Sequence, residues 1–293
     1  MIALIELFCD IDDFLKQFLP QWEKSLIETE TVKRHRPFMM SPAEVMVIVL
    51  WFHRSHYRNF KHYYLNYVST VLAEYFPKRV SYNRFIELQH SLLIPFCAYL
   101  QTRKVTSEGI AFVDSTAIRV CHNKRIYQHR VFKGAAQRGK TSVDWFYGFK
   151  LHLIINDRGE LINLFVTAGN VDDRKALQSM LRGLKGKVFG DKGYLSKLLK
   201  ETLFEQGVEL ITRVRKNMKP VKLSEFDNML LHKRSLIETV YDQLKNISQV
   251  EHSRHRSIVG FFINLLASVI SYTWQPKKPS LDLRQASSHC KHL

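Results

Sequence analysis

The hydrophobic pattern of this 293-residue chain changes period near residue 105. Before that point apolar residues recur at helical steps: Ile5, Phe8, Ile11 and Phe14, then Leu15 and Phe18. Pro20 is expected to end that run, because it has no N–H and its ring clashes with the turn before it. Ser41-Pro42-Ala43-Glu44 is a capping box with proline at the first helical position, which predicts a helix from Ser41 through Trp51. Another helix should follow Ser81 and run to about Leu93. Residues 1–104 therefore read as an all-helical domain, with Tyr57, Tyr63 and Tyr64 assigned to its core in preference to stacking on nucleic-acid bases.

From residue 109 short β-branched and aromatic runs take over. Ile110–Val120 reads as a strand, and Phe146–Ile155 and Leu161–Thr167 flank Asn156-Asp157-Arg158-Gly159, a loop with hairpin chemistry. Asp172 or Asp173 should cap a helix running to about Leu184, and Val188–Gly190 is a brief strand. A helix over Leu195–Gln206, a strand over Glu209–Val214 and helices over Leu230–Ile247 and Ile258–Trp274 complete the order. That alternation is a mixed α/β arrangement with one antiparallel edge. The domains so read are 1–104 (helical), 105–275 (α/β) and 276–293 (a flexible tail).

Composition narrows the partner. The chain is 45% apolar and 24% charged, which excludes wholesale disorder. Forty-four Lys and Arg against 27 Asp and Glu give +17, a balance that suits a polyanion. Cys9, Cys97, Cys121 and Cys290 contain no C-x-x-C pair, so neither a zinc knuckle nor a disulfide framework is written here. The first residues lack a basic segment of the secretory type, and Ile258–Trp274 is too short to span a bilayer and carries Asn264. No membrane association is expected.

Three acids stand where structure alone would not put them. Asp114 interrupts the apolar run Ala111-Phe112-Val113, and Asp191 ends Lys187-Val188-Phe189-Gly190. Glu238 shares a helix face with Arg234, Tyr241 and Lys245, at steps of four, three and four. A strand-end aspartate is often only a turn or helix cap. Two strand acids and one helix acid that converge, however, form the oxygen-only set that hard divalent cations need. Two such ions serve in-line displacement at phosphorus.

The chain resembles a DDE-type insertion-sequence transposase, closest to the insertion sequence 982 family. The resemblance rests on Phe112-Val113-Asp114-Ser115-Thr116, Trp145-Phe146-Tyr147-Gly148-Phe149-Lys150-Leu151-His152-Leu153 and Gly190-Asp191-Lys192-Gly193-Tyr194. Arg234-x3-Glu238-x6-Lys245 and Glu251-His252-Ser253-Arg254-His255-Arg256-Ser257 extend it. It implies an RNase H-like mixed sheet flanked by helices, preceded by the all-helical domain. Asp114, Asp191 and Glu238 become the catalytic and metal-binding residues, holding two Mg²⁺ ions with Mn²⁺ as substitute. The implied activity is phosphodiester hydrolysis at element ends and strand transfer into target DNA. Its partners would be double-stranded DNA (terminal inverted repeats and target) and further copies of the chain in a synaptic complex, its place the prokaryotic cytoplasm at the nucleoid. A related group has a tyrosine three residues before the arginine; here Leu231 stands there.

Seven bases and no acid lie between Ser115 and Val143: Arg119, Lys124, Arg125, Arg130, Lys133, Arg138 and Lys140. They are expected to track DNA phosphates, as are Arg254 and Arg256, while Lys245 would hold phosphate near the ions and the resemblance implies a DNA contact for Arg234. His252 and His255 are spaced like a metal pair but lack further ligands nearby, and Trp145 reads as packing. Two other readings remain: an RNase H-like nuclease or resolvase that cuts without joining, and a non-catalytic DNA-binding relic.

Overall fold

The computed structural model describes residues 2–28, 39–106, 109–141, 143–214, 217–219, 221–251 and 255–281. The chain divides into two compact units, residues 1–103 with 244–274, and residues 104–243 with 275–293.

The first unit is helical. α1 (Ile2–Glu28) buries Leu4, Leu7, Ile11 and Leu15 and packs on α2 (Pro42–Phe52) and α5 (Leu93–Thr102). It does not stop at Pro20, as the sequence suggested, but continues to Glu28. Phe14, Phe18 and Trp22 stack along one side at 5.3 and 6.1 Å, so ring contacts span the proline turn and offset its missing hydrogen bond. α2 starts as its capping box requires: Ser41 Oγ accepts from the Glu44 N–H at 3.1 Å, and Glu44 accepts from the Ser41 N–H at 2.6 Å. α3 (Phe60–His62) runs into a π-helical turn, Tyr63–Val68, and α4 (Tyr82–Ser91) is capped by Ser81. Tyr63 and Tyr64 are buried, with hydroxyls donating to the carbonyls of Ile48 and Val80, as their assignment to the core requires.

Ile258–Thr273, α10 in chain order, packs on α2, α4 and α5. Sequence reading had placed this helix in the catalytic domain, whereas its contacts belong to the first unit. An apolar helix without a polar face needs partners all round, and the helical unit supplies them.

The second unit is built on one mixed sheet. Its strands are β1 (Ile110–Cys121), β2 (Gln137–Lys140), β3 (Trp145–Asn156), β4 (Leu161–Ala168), β5 (Gly186–Gly190) and β6 (Val208–Thr212). β3 lies antiparallel to β1, and its other edge is shared: Trp145–Gly148 pair with β2 and Phe149–Ile155 with β4. β5 is parallel to β1, and β6 to β5. The resulting order β4-β3-β1-β5-β6, with three antiparallel strands leading into two parallel ones, is the RNase H-like sheet.

Helices cover both faces. α6 (Asp173–Met180), capped by Asp172, and α7 (Lys197–Glu205) bury Ala176, Leu177, Met180 and Leu203 against Ala111, Val113, Val188 and Leu210. α8 (Glu225–Lys233) lies on β5 and β6, and α9 (Ser235–Asp242) lies on β1. The sequence suggested one helix over Leu230–Ile247. Instead a tightened turn at Arg234, with the Ile237 N–H donating to the Arg234 carbonyl, separates α8 from α9, and a π-helical turn follows at Gln243–Ile247. Residues 275–281 run with this unit, the Leu281 N–H donating to the Asp157 carbonyl; the rest of the expected tail, 282–293, lies outside the described residues. No described helix is long and apolar enough to cross a membrane.

Candidate active site

Strand register places the first two acids. The parallel pairing of β1 with β5 ends at Phe112 opposite Phe189. Asp114 and Asp191 each lie two residues further on, one full pleat past the last rung. Here, beyond the carboxyl end of the parallel pair, strands part and leave a crevice, the position where open α/β sheets bind ligands. Gly190 permits the close approach, since a Cβ there would meet the Tyr194 ring and the Val113 side chain, each at 3.1 Å. A pocket of about 330 Å³ opens at this point, lined by Asp114, Asp191 and Arg234.

The third acid arrives on α9. Arg234 Nη2 lies 3.1 Å from Glu238 Oε1 and 3.9 Å from Asp191 Oδ1, and its Nη1 lies 3.5 Å from Asp114 Oδ2. One guanidinium therefore touches all three carboxylates. Their exposures differ: the Asp114 side chain is 21% exposed, Asp191 49% and Glu238 57%. Burial pushes the Asp114 carboxyl up to about 6, against the pull of Arg234 and of the Ser115 N–H; the neighbouring Asp191 and Glu238 charges push it the same way as burial.

Tyr241, one turn after Glu238, ties α9 to the strand that carries Asp114. Its hydroxyl donates to the Asp114 carbonyl at 2.6 Å and accepts from the Leu153 N–H at 3.1 Å. Asp114 and Leu153 face each other across β1 and β3, so the hydroxyl bridges that pair. Desolvation raises the phenol well above its ordinary value, which keeps it neutral and able to donate.

The residue types suit divalent metal ions. Asp114, Asp191 and Glu238 offer oxygen only, and Asp114 is a desolvated carboxyl whose ionised form needs a neighbouring cation. Among the described residues no three His, Cys, Asp or Glu side chains already stand together as an ion would require. Arg234 acts as their shared counter-charge instead. Its buried Nη1 has no hydrogen-bond partner, a vacancy that suits a phosphate oxygen.

The other residues singled out in the sequence are spread more widely. Arg119, Lys124, Arg125, Arg130, Lys133, Arg138 and Lys140 are all exposed, and Lys140 alone of the seven lines the pocket. Lys245 lies past the unit boundary and pairs with Glu251 at 3.6 Å. Arg256 is exposed in the first unit; Arg254 and His252 lie outside the described residues. Trp145, expected to pack, is 46% exposed with Arg138 and Lys140 over its ring at 5.3 and 5.7 Å. β2 pairs only with the first residues of β3, which leaves this ring at a short edge and open to the two cations.

Six lining residues have no site role assigned from the sequence, four of them polar or charged: Ser115, Thr141, Lys150 and Asp173, with Ala117 and Phe146 beside them. Lys150 carried the same signal as Asp114, a charge inside an apolar strand, but was passed over.

A family model described as a transposase DDE domain matches residues 104–258, more than half of the chain. The chain belongs to the DDE transposase family. A search of curated proteins finds no match. Among solved structures, the cryo-EM structure of a piggyBac transposase synaptic complex with hairpin DNA is similar at a TM-score of 0.48 and 11% identity, covering 83% of this chain and 69% of that one. The match to the DDE transposase family takes in β1 to β6, α6 to α9 and every residue of the pocket.

Proposed function

We propose that this DDE transposase is of the insertion sequence 982 type, hydrolysing phosphodiesters at the ends of its element and joining the freed ends to target DNA. The observation that carries the reading is the approach of Asp114, Asp191 and Glu238 to one guanidinium in a crevice at the parting of two parallel strands. In the first step water oxygen bonds to phosphorus and the bond to the 3′ oxygen breaks, leaving a 3′-OH and a 5′-phosphate. In the second step that 3′-OH attacks a target phosphodiester and displaces another 3′ oxygen.

Asp114, Asp191 and Glu238 would hold two Mg²⁺ ions, which when bound supply activation of the attacking oxygen and charge stabilisation at the leaving one. Asp114 must be ionised to hold an ion, so protons compete with metal at this carboxyl. Once the acids have another counter-charge, Arg234 is free to turn its Nη1, ion-paired with Asp114 but without a hydrogen bond, to the scissile phosphate. The exposed bases from Arg119 to Lys140 hold the DNA backbone, a term that weakens steeply with salt, and exposed Arg256 of the helical unit is a DNA contact of that unit. Joining two ends requires at least two copies of the chain.

The test is strand transfer in vitro. Purified protein is mixed with duplexes carrying the inverted repeats that flank its gene, supercoiled plasmid, and Mg²⁺ or EDTA, beside Glu238→Gln. Metal-dependent joined product that Glu238→Gln does not make supports the reading. Nicking without joining points to a nuclease or resolvase, and salt-sensitive binding without chemistry to a DNA-binding relic.

A further inference from the structure

On the pocket wall formed by β3 and α6 lies a second charged cluster, made of Lys150, Asp173 and Ser115. Lys150 stands on β3 opposite Ala117, and Asp173 is the first residue of α6. Lys150 Nζ donates to Asp173 Oδ1 at 2.8 Å and to the Val171 carbonyl at 2.9 Å. The other carboxylate oxygen, Asp173 Oδ2, accepts from Ser115 Oγ at 2.8 Å. The Lys150 side chain is only 16% exposed, so its stem is fixed by packing as well as by these bonds.

Two consequences follow from counting donors and acceptors. An ammonium has three N–H donors; two are spent on Asp173 and Val171, and one remains on a group that lines the pocket. Asp173 has both oxygens engaged, so it is oriented toward holding Lys150 rather than toward ligating an ion. A cation fixed at two points, on the lining of a pocket that also holds a guanidinium nitrogen without a hydrogen bond, is a seat for an anionic oxygen.

We propose that Lys150 binds a phosphate oxygen of the DNA strand in this pocket, and that Asp173 is a positioning residue that aims the ammonium. The inference rests on the transposase reading for its ligand, a nucleic-acid phosphodiester, but not for its geometry. It also assigns at the pocket the part that sequence spacing had given to Lys245, whose ammonium pairs with Glu251.

Binding in EDTA separates this role from catalysis. Fluorescence anisotropy of a labelled element-end duplex is measured over a salt series for wild type, Lys150→Gln, Lys150→Arg, Asp173→Asn and Glu238→Gln, with a thermal melt of each to establish folding. Losing one phosphate contact flattens the slope of log K against log salt by about 1. Lys150→Gln is expected to show that change, Lys150→Arg to keep the wild-type slope, and Glu238→Gln not to flatten it. In Mg²⁺, Lys150→Gln should slow cleavage at least tenfold and Asp173→Asn severalfold, with Lys150→Arg partly restored. A folded Lys150→Gln protein with wild-type slope and wild-type cleavage overturns the assignment. A flattened slope in a protein whose wild type never cleaves leaves the phosphate seat standing and removes the transposase reading instead. Lost cleavage with an unchanged slope also overturns it, placing Lys150 in assembly of the acids.

Discussion

Asp114→Asn should make the metal-free protein more stable, by a margin that grows as pH rises from 3.8 to about 6 and is constant above that. In the folded chain burial lifts the carboxyl from its ordinary 3.8 to about 6, despite Arg234 at 3.5 Å. The folded state therefore binds this proton more tightly than the unfolded state does, and stability falls as pH rises between those two values. At about 1.4 kcal/mol per tenfold change in proton affinity, the loss reaches an upper bound of about 3 kcal/mol above pH ~7. Asparagine keeps the shape and cannot ionise. In EDTA its melting temperature should match wild type near pH ~4 and exceed it by several degrees near pH ~8, at roughly 2–4 °C per kcal/mol. Thermal melts across that range, in parallel on both proteins, make the measurement. A gain that does not vary with pH, or a variant less stable than wild type in alkaline EDTA, would refute the claim that desolvation outweighs Arg234 at this site.

Adding Mg²⁺ or Mn²⁺ should raise the wild-type melting temperature with concentration, as any ligand that binds only the folded state does, and the rise should vanish in Asp114→Asn. Tyr241→Phe leaves the Leu153 N–H and the Asp114 carbonyl without their shared partner, a loss of about 1–3 kcal/mol readable by urea denaturation; an unchanged midpoint would mean the hydroxyl bridges nothing. Asp191→Asn should abolish cleavage while DNA affinity in EDTA stays within a few-fold, and retained cleavage would remove Asp191 from the catalytic set. Gly190→Ala brings a methyl to 3.1 Å from both the Tyr194 ring and the Val113 side chain, so it should cost about 1–3 kcal/mol in the same denaturation series. Ser41→Ala removes half of a capping box in the helical unit and should cost about 1 kcal/mol without touching cleavage by an otherwise folded protein.

What the sequence made legible was what is written in adjacent residues. The capping box at Ser41, the hairpin at Asn156–Gly159 and the strand carrying Asp114 are local patterns, and each lies where its pattern put it. Asp114 and Asp191 stood out because a charge in an apolar run has no reason of its own to be there, and register then brings them to the same level. The errors came where distant packing decides. Pro20 is carried by a stack of rings four residues apart, and α10 takes its place from three helices far from it in sequence.

The same division runs through the site. A charge on a strand is visible as an exception, but its partner need not be: Asp173 looked like a helix cap because it follows one, Asp172, in an ordinary position. Only the fold reveals that its carboxylate accepts from a serine on β1 and a lysine on β3. The reach of the Tyr241 hydroxyl into the β1–β3 pair is hidden in the same way, since helical spacing predicts a shared face and not a bond across to a strand. In both cases the sequence shows the residue that is out of place, while the residue that holds it there appears ordinary. The proposed catalytic acids are therefore easier to read from sequence than the groups bonded behind the site, here Tyr241 on the Asp114 carbonyl and Asp173 on the Lys150 ammonium.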